Sequence, residues 1–298
     1  MSRLAKALVT IFGLGGLLAA LVVPAVAASA SGAVTNKTCS GTPTSPGVLT
    51  GTYPGNVIVK GFCEVNAGQA VVAGNLTIAP GGGVVAAFAL NDKTHNGFSS
   101  LTVKKNVVVS RGAALVLGCE ANFFTCLDDK SNTLQSRGTI GGSLLASQPL
   151  GVLVHNSTIS GVVVENGGGG GTSCMPPTTG IFALLKSPPF TDFEDNILGD
   201  SVSVTQVHSC WLGLLRNSVH GTLTFSSNKM GDPDANEVLH NYVNRSLTCQ
   251  GNVPAVQYGD SGSSPNAVAG RASGQCSFSV RKPNPAPNGP LSPISIRV

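Results

Sequence analysis

Charged residues are scarce in this chain of 298 residues: Asp, Glu, Lys and Arg together make up 11%. Few helices with a solvated face can be built from that supply. The basic clusters that grip nucleic acid are missing too, which excludes that class of partner. Aromatics are only 5%, so Trp211, Tyr242, Tyr258 and scattered phenylalanines are all that could stack on sugar rings. No Cys-x-x-Cys pair occurs and no histidine lies at zinc-finger spacing from a cysteine, so a structural metal site is the weaker reading of the cysteines. What abounds instead is glycine, at 38 residues, with Val, Ser, Thr and Asn.

The first thirty residues differ from the rest. Arg3 and Lys6 precede an apolar stretch over 7–23, and no acidic residue occurs before Glu64. This pattern predicts a secretory signal peptide over 1–30, cut after Pro24 at Ala25-Val26-Ala27 or Ala28-Ser29-Ala30. An uncleaved membrane anchor is the competing reading, for which the stretch is barely long enough. No second apolar run of membrane length follows, and no cysteine stands just after the first to take a lipid. The expected location is therefore outside the cell, free or held on the cell wall, with no membrane after cleavage. Loss of Arg3 and Lys6 lowers the formal net charge from +4 to +2.

Eight cysteines, Cys39, Cys63, Cys119, Cys126, Cys174, Cys210, Cys249 and Cys276, all lie in the exported part. An even count in an oxidising compartment predicts disulfides, whose connectivity spacing alone does not choose. If sequence neighbours pair, the bridges are Cys39 to Cys63, Cys119 to Cys126, Cys174 to Cys210 and Cys249 to Cys276.

A weak internal repeat is the most informative feature. Apolar residues alternate around a glycine in Val72-Ala-Gly74-Asn-Leu76-Thr-Ile78 and Val219-His-Gly221-Thr-Leu223-Thr-Phe225, with looser copies around Gly61, Gly142 and Gly161. Alternation of this kind predicts half-buried strands. In addition, Asn217-Ser-Val219-His-Gly221-Thr-Leu223 aligns with Asn241-Tyr-Val243-Asn-Arg245-Ser-Leu247 at a 24-residue offset, the length of one coil of a parallel β-solenoid. Val219 is then expected on Val243, Leu223 on Leu247 and Asn217 on Asn241. Arg245 falls at an inward position, so the reading requires a corner there. The motif glycines Gly61, Gly74, Gly142, Gly161 and Gly221 are unevenly spaced, which calls for inserted loops, chiefly at 119–137 and 167–200. A Greek-key β-sandwich is the alternative all-β architecture. The expected domain runs over 31–276, followed by a Pro-rich flexible tail over 277–298.

With these motifs the chain resembles the right-handed parallel β-helix proteins of the pectate-lyase-like superfamily, and is similar in particular to secreted β-helix proteins of actinobacteria. The resemblance covers about residues 50–255. It implies acidic residues on the outer face of a strand ladder wherever a member cleaves polysaccharide, binding calcium or acting as an acid and base pair. The outward positions legible here are Asn75, Thr77, Ser143, Thr222, Thr224, Ser246 and Thr248, with Glu64 the single acid. The leading expectation is thus a non-catalytic structural or adhesive protein whose partner is a polysaccharide or cell-wall surface. A polysaccharide lyase or glycoside hydrolase is the alternative, and recognition of an ordered surface such as ice by the threonine rows is a distant third.

Acids gather elsewhere, at Asp128 and Asp129, at Asp192, Glu194 and Asp195, and at Asp232, Asp234 and Glu237. The last three alternate on a turn and are candidate calcium ligands, the one cofactor the sequence offers, although a solvated turn is the plainer reading. The Asp192 group reads as part of a Pro-rich loop. Gly259-Asp260-Ser261-Gly262 is similar to the nucleophile motif of chymotrypsin-like proteases, but His208 stands only a short way upstream and no third partner is in place. No catalytic residue is assigned from the sequence.

Overall fold

A short alternating strand buries one face and wets the other, so it persists only when stacked on copies of itself. A computed structural model of the protein describes residues 35–278 together with 280 and 281. The expected signal peptide over 1–30 and most of the expected tail lie outside the described residues. Strands recur in threes around the coil and stack into three long sheets of ten, eight and ten strands. The first sheet runs from Lys37–Cys39 to Ala272–Gly274, the second from Gly47–Val48 to Glu237–Leu239, the third from Gly51–Tyr53 to Val280–Arg281. Every pairing within them is parallel. A Greek-key sandwich pairs its strands antiparallel, so the fold is a parallel β-helix and the sandwich is excluded.

The 24-residue register holds position by position. Val219 pairs with Val243, Leu223 with Leu247, and the backbone N–H of Asn217 donates to Asn241 Oδ1 at 2.9 Å. Arg245 is exposed at a corner between the strands Tyr242–Val243 and Leu247–Gln250. The seven-residue motif itself is two strands and a bend. Gln69–Val72 closes a third-sheet strand, Gly74 and Asn75 turn the corner, and Leu76–Ile78 opens the next first-sheet strand. The copy around Gly61 spans a different corner, between Val57–Val59 and Phe62–Glu64, and so never belonged to the same series.

These corner glycines are set by crowding. A Cβ on Gly74 would lie 2.4 Å from Asn56 Oδ1, and one on Gly221 2.4 Å from the backbone nitrogen of Ser201. Corners thus stack backbone on backbone. Gly221→Ala is expected to cost about 2 kcal/mol, because the added methyl meets main chain that cannot rotate away. An unchanged urea midpoint would show that the corner yields.

The interior is lined by stacked aliphatics such as Leu76, Val107, Leu144, Val163, Val202, Leu223 and Leu247, each at most 1% exposed. Polar ladders run beside them. Asn196, Asn217, Asn241 and Asn266 follow one another at the corner between the second and third sheets, each accepting from the backbone of the residue before it in the stack. Their amides donate to the carbonyls of Val154, Phe193, Leu214 and Val238. The residues just ahead, Asp195, Arg216 and His240, all take positive φ near 55°, which swings the chain round the bend. A second series, Asn228 to Asn252 to Gln275, does the same at the corner that follows the first-sheet strands. One acid also sits inside the coil: Glu165, fully buried, accepts from Thr191 Oγ1 at 2.8 Å.

Coil length varies where loops leave the corners. Asn56 and Asn75 stack across a 19-residue coil, whereas Asn166 and Thr205 stack across a 39-residue one. The excursion responsible contains the one helix among the described residues, Ile181–Leu184, too short to cross a membrane. The expected loop over 167–200 is shorter than the composition suggested, because Phe190–Glu194 and Ile197–Leu198 are strands of the second and third sheets. Ile181 and Phe182 cap the outward side of the second sheet, packing with Val85, Val116 and Leu153 into a second hydrophobic cluster. Gly83 and Gly151 make room for them: a Cβ would come 2.4 Å from Ile181 Cδ1 and from Phe182 Cζ respectively.

All eight cysteines are paired, as sequence neighbours. Cys39–Cys63 ties the outermost described coil at one end to its neighbour, and Cys249–Cys276 does the same at the other. Cys119–Cys126 closes a seven-residue step in the 119–137 loop, and Cys174–Cys210 anchors the excursion. Four disulfides fit an oxidising, extracellular compartment.

Candidate functional site

The acids absent from the outer face of the first sheet stand on that of the second. Its outward rows follow the register: Val85, Val116, Leu153, Asp192, Gly213 and Glu237 lie side by side, as do His155, Glu194, Leu215 and Leu239. Glu64, the one acid expected on the ladder, precedes Val85 in the longer row, and Val85, Val116 and Leu153 are apolar and packed under the helix. From Asp192 onward the cover ends and the side chains turn acidic. Phe193 and Thr191 face inward from the same strand, so alternation alone sends Asp192 and Glu194 outward.

A cleft of about 460 Å³ opens over these residues. Phe123 and Phe124 of the 119–137 loop, Pro188 of the excursion, Trp211, the Asp232 turn, and Asp260 with Ser261 enclose it. Trp211 lies flat across Gly213, where a Cβ would be 2.1 Å from the indole Cη2, and its Nε1 donates to Glu237 Oε1 at 3.0 Å. Beneath it Glu237 is fully buried, and burial pushes its carboxyl up to about 7 against the hydrogen bonds of Ser261 and Trp211.

At the other end of the cleft His155 is fully buried, stacked on Phe124 at 4.2 Å with 9° between the rings. Its Nδ1 is 3.3 Å from Glu194 Oε2 and its Nε2 3.6 Å from Asp192 Oδ2, yet neither contact has hydrogen-bond geometry. Arg216 grips Asp195 with Nε and an Nη, at 2.7 to 3.0 Å, and also bonds Glu194 Oε1. The guanidinium rests on the Phe123 ring at 3.9 Å. Burial, and then the neighbouring Glu194, push the Asp192 carboxyl well above the carboxylate range. Burial works against ionisation of Glu194 as well, but His155 and Arg216 hold it below its usual value. Glu120, from the disulfide-closed loop, is pushed up to about 9 by burial and by Asp195 beside it.

The candidate calcium ligands do not converge. Asp234 is exposed and its N–H donates to Asp232 Oδ1 at 3.0 Å, a self-capped turn, while Glu237 is bound to Trp211. Among the described residues, the one group of three or more acidic, His or Cys side chains whose ligand atoms lie within 4.8 Å of one another is Glu120, His155 and Glu194. Asp260 and Ser261 line the cleft, whereas His208 is exposed on the small two-stranded sheet with Lys229–Met230, so the protease-like motif lacks its base. Asp192, Glu194 and Asp195, read from sequence as loop acids, are strand and corner residues of the site. Glu120, His155 and Arg216 carried no local signal. One pattern did point to the strand: Phe193-Glu-Asp-Asn196-Ile-Leu198 repeats Leu214-Leu-Arg-Asn217-Ser-Val219 in a 21-residue register.

No family model matches this chain, and neither a curated protein nor a solved structure matches it.

Proposed function

We propose that the protein is a secreted, non-catalytic β-helix that binds neutral glycan in the second-sheet cleft, in an adhesive or cell-wall-associated role. The lining of the cleft carries the reading. Trp211, Phe124 and Phe190 offer apolar ring surface, Asp192, Glu194, Asp232 and Asp260 offer hydroxyl acceptors, and no Lys or Arg is among the lining residues. Sugars present apolar C–H faces edged by hydroxyl donors, which such a surface matches. Acidic sugars would meet four carboxyl groups and no cation, so the substrate class is neutral. On the outward face of the first sheet, Ser203, Thr224 and Thr248 lie in register as a short half-exposed hydroxyl row.

One observation favours glycoside hydrolysis as a second reading. Asp192 and Glu194 face outward two residues apart on one strand, and burial pushes the Asp192 carboxyl up while His155 and Arg216 hold Glu194 down against its burial, the split that an acid and base pair requires. Calorimetric titration with neutral glucan, mannan and xylan oligomers tests both. Trp211→Ala is expected to weaken binding about thirtyfold, as loss of a buried aromatic anchor does, while Trp211→Phe keeps most of it. Failure of every neutral oligomer to bind, or equal binding by Trp211→Ala, would overturn the proposal. Reducing ends that appear with the wild type and vanish with Asp192→Asn would establish the hydrolytic reading instead.

A further inference from the structure

We propose that Glu120, His155 and Glu194 form a binding site for one first-row divalent cation, with Zn²⁺ as the best match. The three ligand atoms already lie within 4.8 Å of one another. A cluster of acids would not suffice, but the histidine supplies independent evidence. Its ring is 0% exposed, both nitrogens lack a hydrogen-bond partner, and they face carboxylate oxygens of Glu194 and Asp192. Buried Glu120 Oε1 is unpartnered as well. Unmet polar atoms of this kind are costly in an interior and are rare without a purpose.

The charges point the same way. Glu120, Asp192, Glu194 and Asp195 cluster around a single guanidinium, Arg216. A dication beside His155 favours the ionised form of these acids, which burial otherwise disfavours. Arg216 takes Glu194 Oε1 and leaves Oε2 turned toward His155 Nδ1. Asp192, 3.6 Å from Nε2, is placed to receive the proton on the far side of the ring, the usual outer partner of a metal-bound histidine. One imidazole nitrogen and two carboxylate oxygens form a borderline donor set with room for water, as in open zinc sites. Calcium would require six to eight oxygens. The chain also fixes the geometry: His155 and Glu194 are direct partners across the second sheet, and Glu120 is held by the Cys119–Cys126 closure and by its N–H bond to the Phe124 carbonyl at 2.8 Å.

The site shares the His155 end of the cleft, with Glu194 and Asp192, but rests on neither Trp211 nor a bound sugar. The test is zinc content of the disulfide-intact protein by mass spectrometry after EDTA treatment, reloading and gel filtration, with a cobalt spectrum as a second readout. One equivalent of zinc is expected, with a rise in melting temperature, and a loss of affinity of more than tenfold in both Glu120→Gln and His155→Gln. Glu120 is only partly buried, so its variant keeps the fold even where the histidine variant does not. Asp232→Asn is expected to bind zinc like the wild type. Absence of zinc from the folded wild type, or unchanged binding by Glu120→Gln, would overturn the site, and sugar titration would remain free to succeed or fail.

Discussion

Replacing Asn241 with leucine is expected to lower the unfolding free energy by about 4 kcal/mol or more. Leucine keeps the branched skeleton of asparagine, so the loss comes chiefly from hydrogen bonds. The Asn241 amide donates to the Leu214 carbonyl at 2.7 Å and to Asn266 Oδ1 at 2.9 Å, and its Oδ1 accepts from both the backbone and the amide of Asn217. The side chain is 1% exposed, so water cannot replace these partners. At least three groups, the Asn217 N–H, the Asn217 amide and the Leu214 carbonyl, are left unmet, each at about 1–3 kcal/mol. Ladder neighbours polarise one another, so the change reaches beyond one coil. The check is the urea midpoint beside that of Asn244→Ala, an exposed neighbour at the following corner. Equal midpoints would mean that the ladder contributes little.

The second large effect depends on pH. Glu165 lies inside the coil, and burial pushes its carboxyl up to about 8, opposed by the Thr191 hydrogen bond. In the unfolded chain the same group titrates near the ordinary value of 4.5. Between these values the unfolded chain sheds a proton that the native chain retains, so stability is full below about pH 4.5 and falls as pH rises toward 8. At 1.36 kcal/mol per unit the span is worth about 5 kcal/mol. Glu165→Gln keeps the shape and the acceptor for Thr191 but cannot ionise. It is expected to be the more stable protein at pH 8, with a shallower fall between pH 4.5 and 8. Glu120, Asp192 and Glu237 add slopes of the same sign in both proteins, so the comparison between the two isolates Glu165. Parallel curves would refute the assignment.

The coil was legible where two consecutive turns carried no insertion. Asn217 and Asn241 marked the same corner one 24-residue coil apart, and the aliphatics after them fell into register. Arg245 could be placed at a bend because the alternation failed there. The corner at Gly74 was misread as strand because the apolar alternation runs straight through the bend. The site was hidden for a different reason. Its outward positions lie on the second sheet, where past the Gly61 copy no glycine motif flags the strands, so apart from Glu64 the outward positions legible in the sequence belong to the first sheet and the corners leading to it. Asp192 and Glu194 follow Pro188 and Pro189, which read as loop although a strand begins at Phe190. His155 and Glu194 are distant in sequence and meet only because the excursion over 167–189 has been looped out between them. Glu120 arrives from a separate loop, by tertiary packing that spacing does not encode.

The two outer disulfides carry a consequence of another kind. A stack of coils behaves as a one-dimensional array in which each unit is held by its neighbours, and the terminal units have one neighbour only. Loss of structure therefore tends to begin at the ends and travel inward. Cys39–Cys63 and Cys249–Cys276 bolt each outermost described coil to the next, so neither end can peel away by itself. Among the described coils, opening must begin between the two bolts. Both sides of an interior coil must then be breached together, a far less frequent event than fraying.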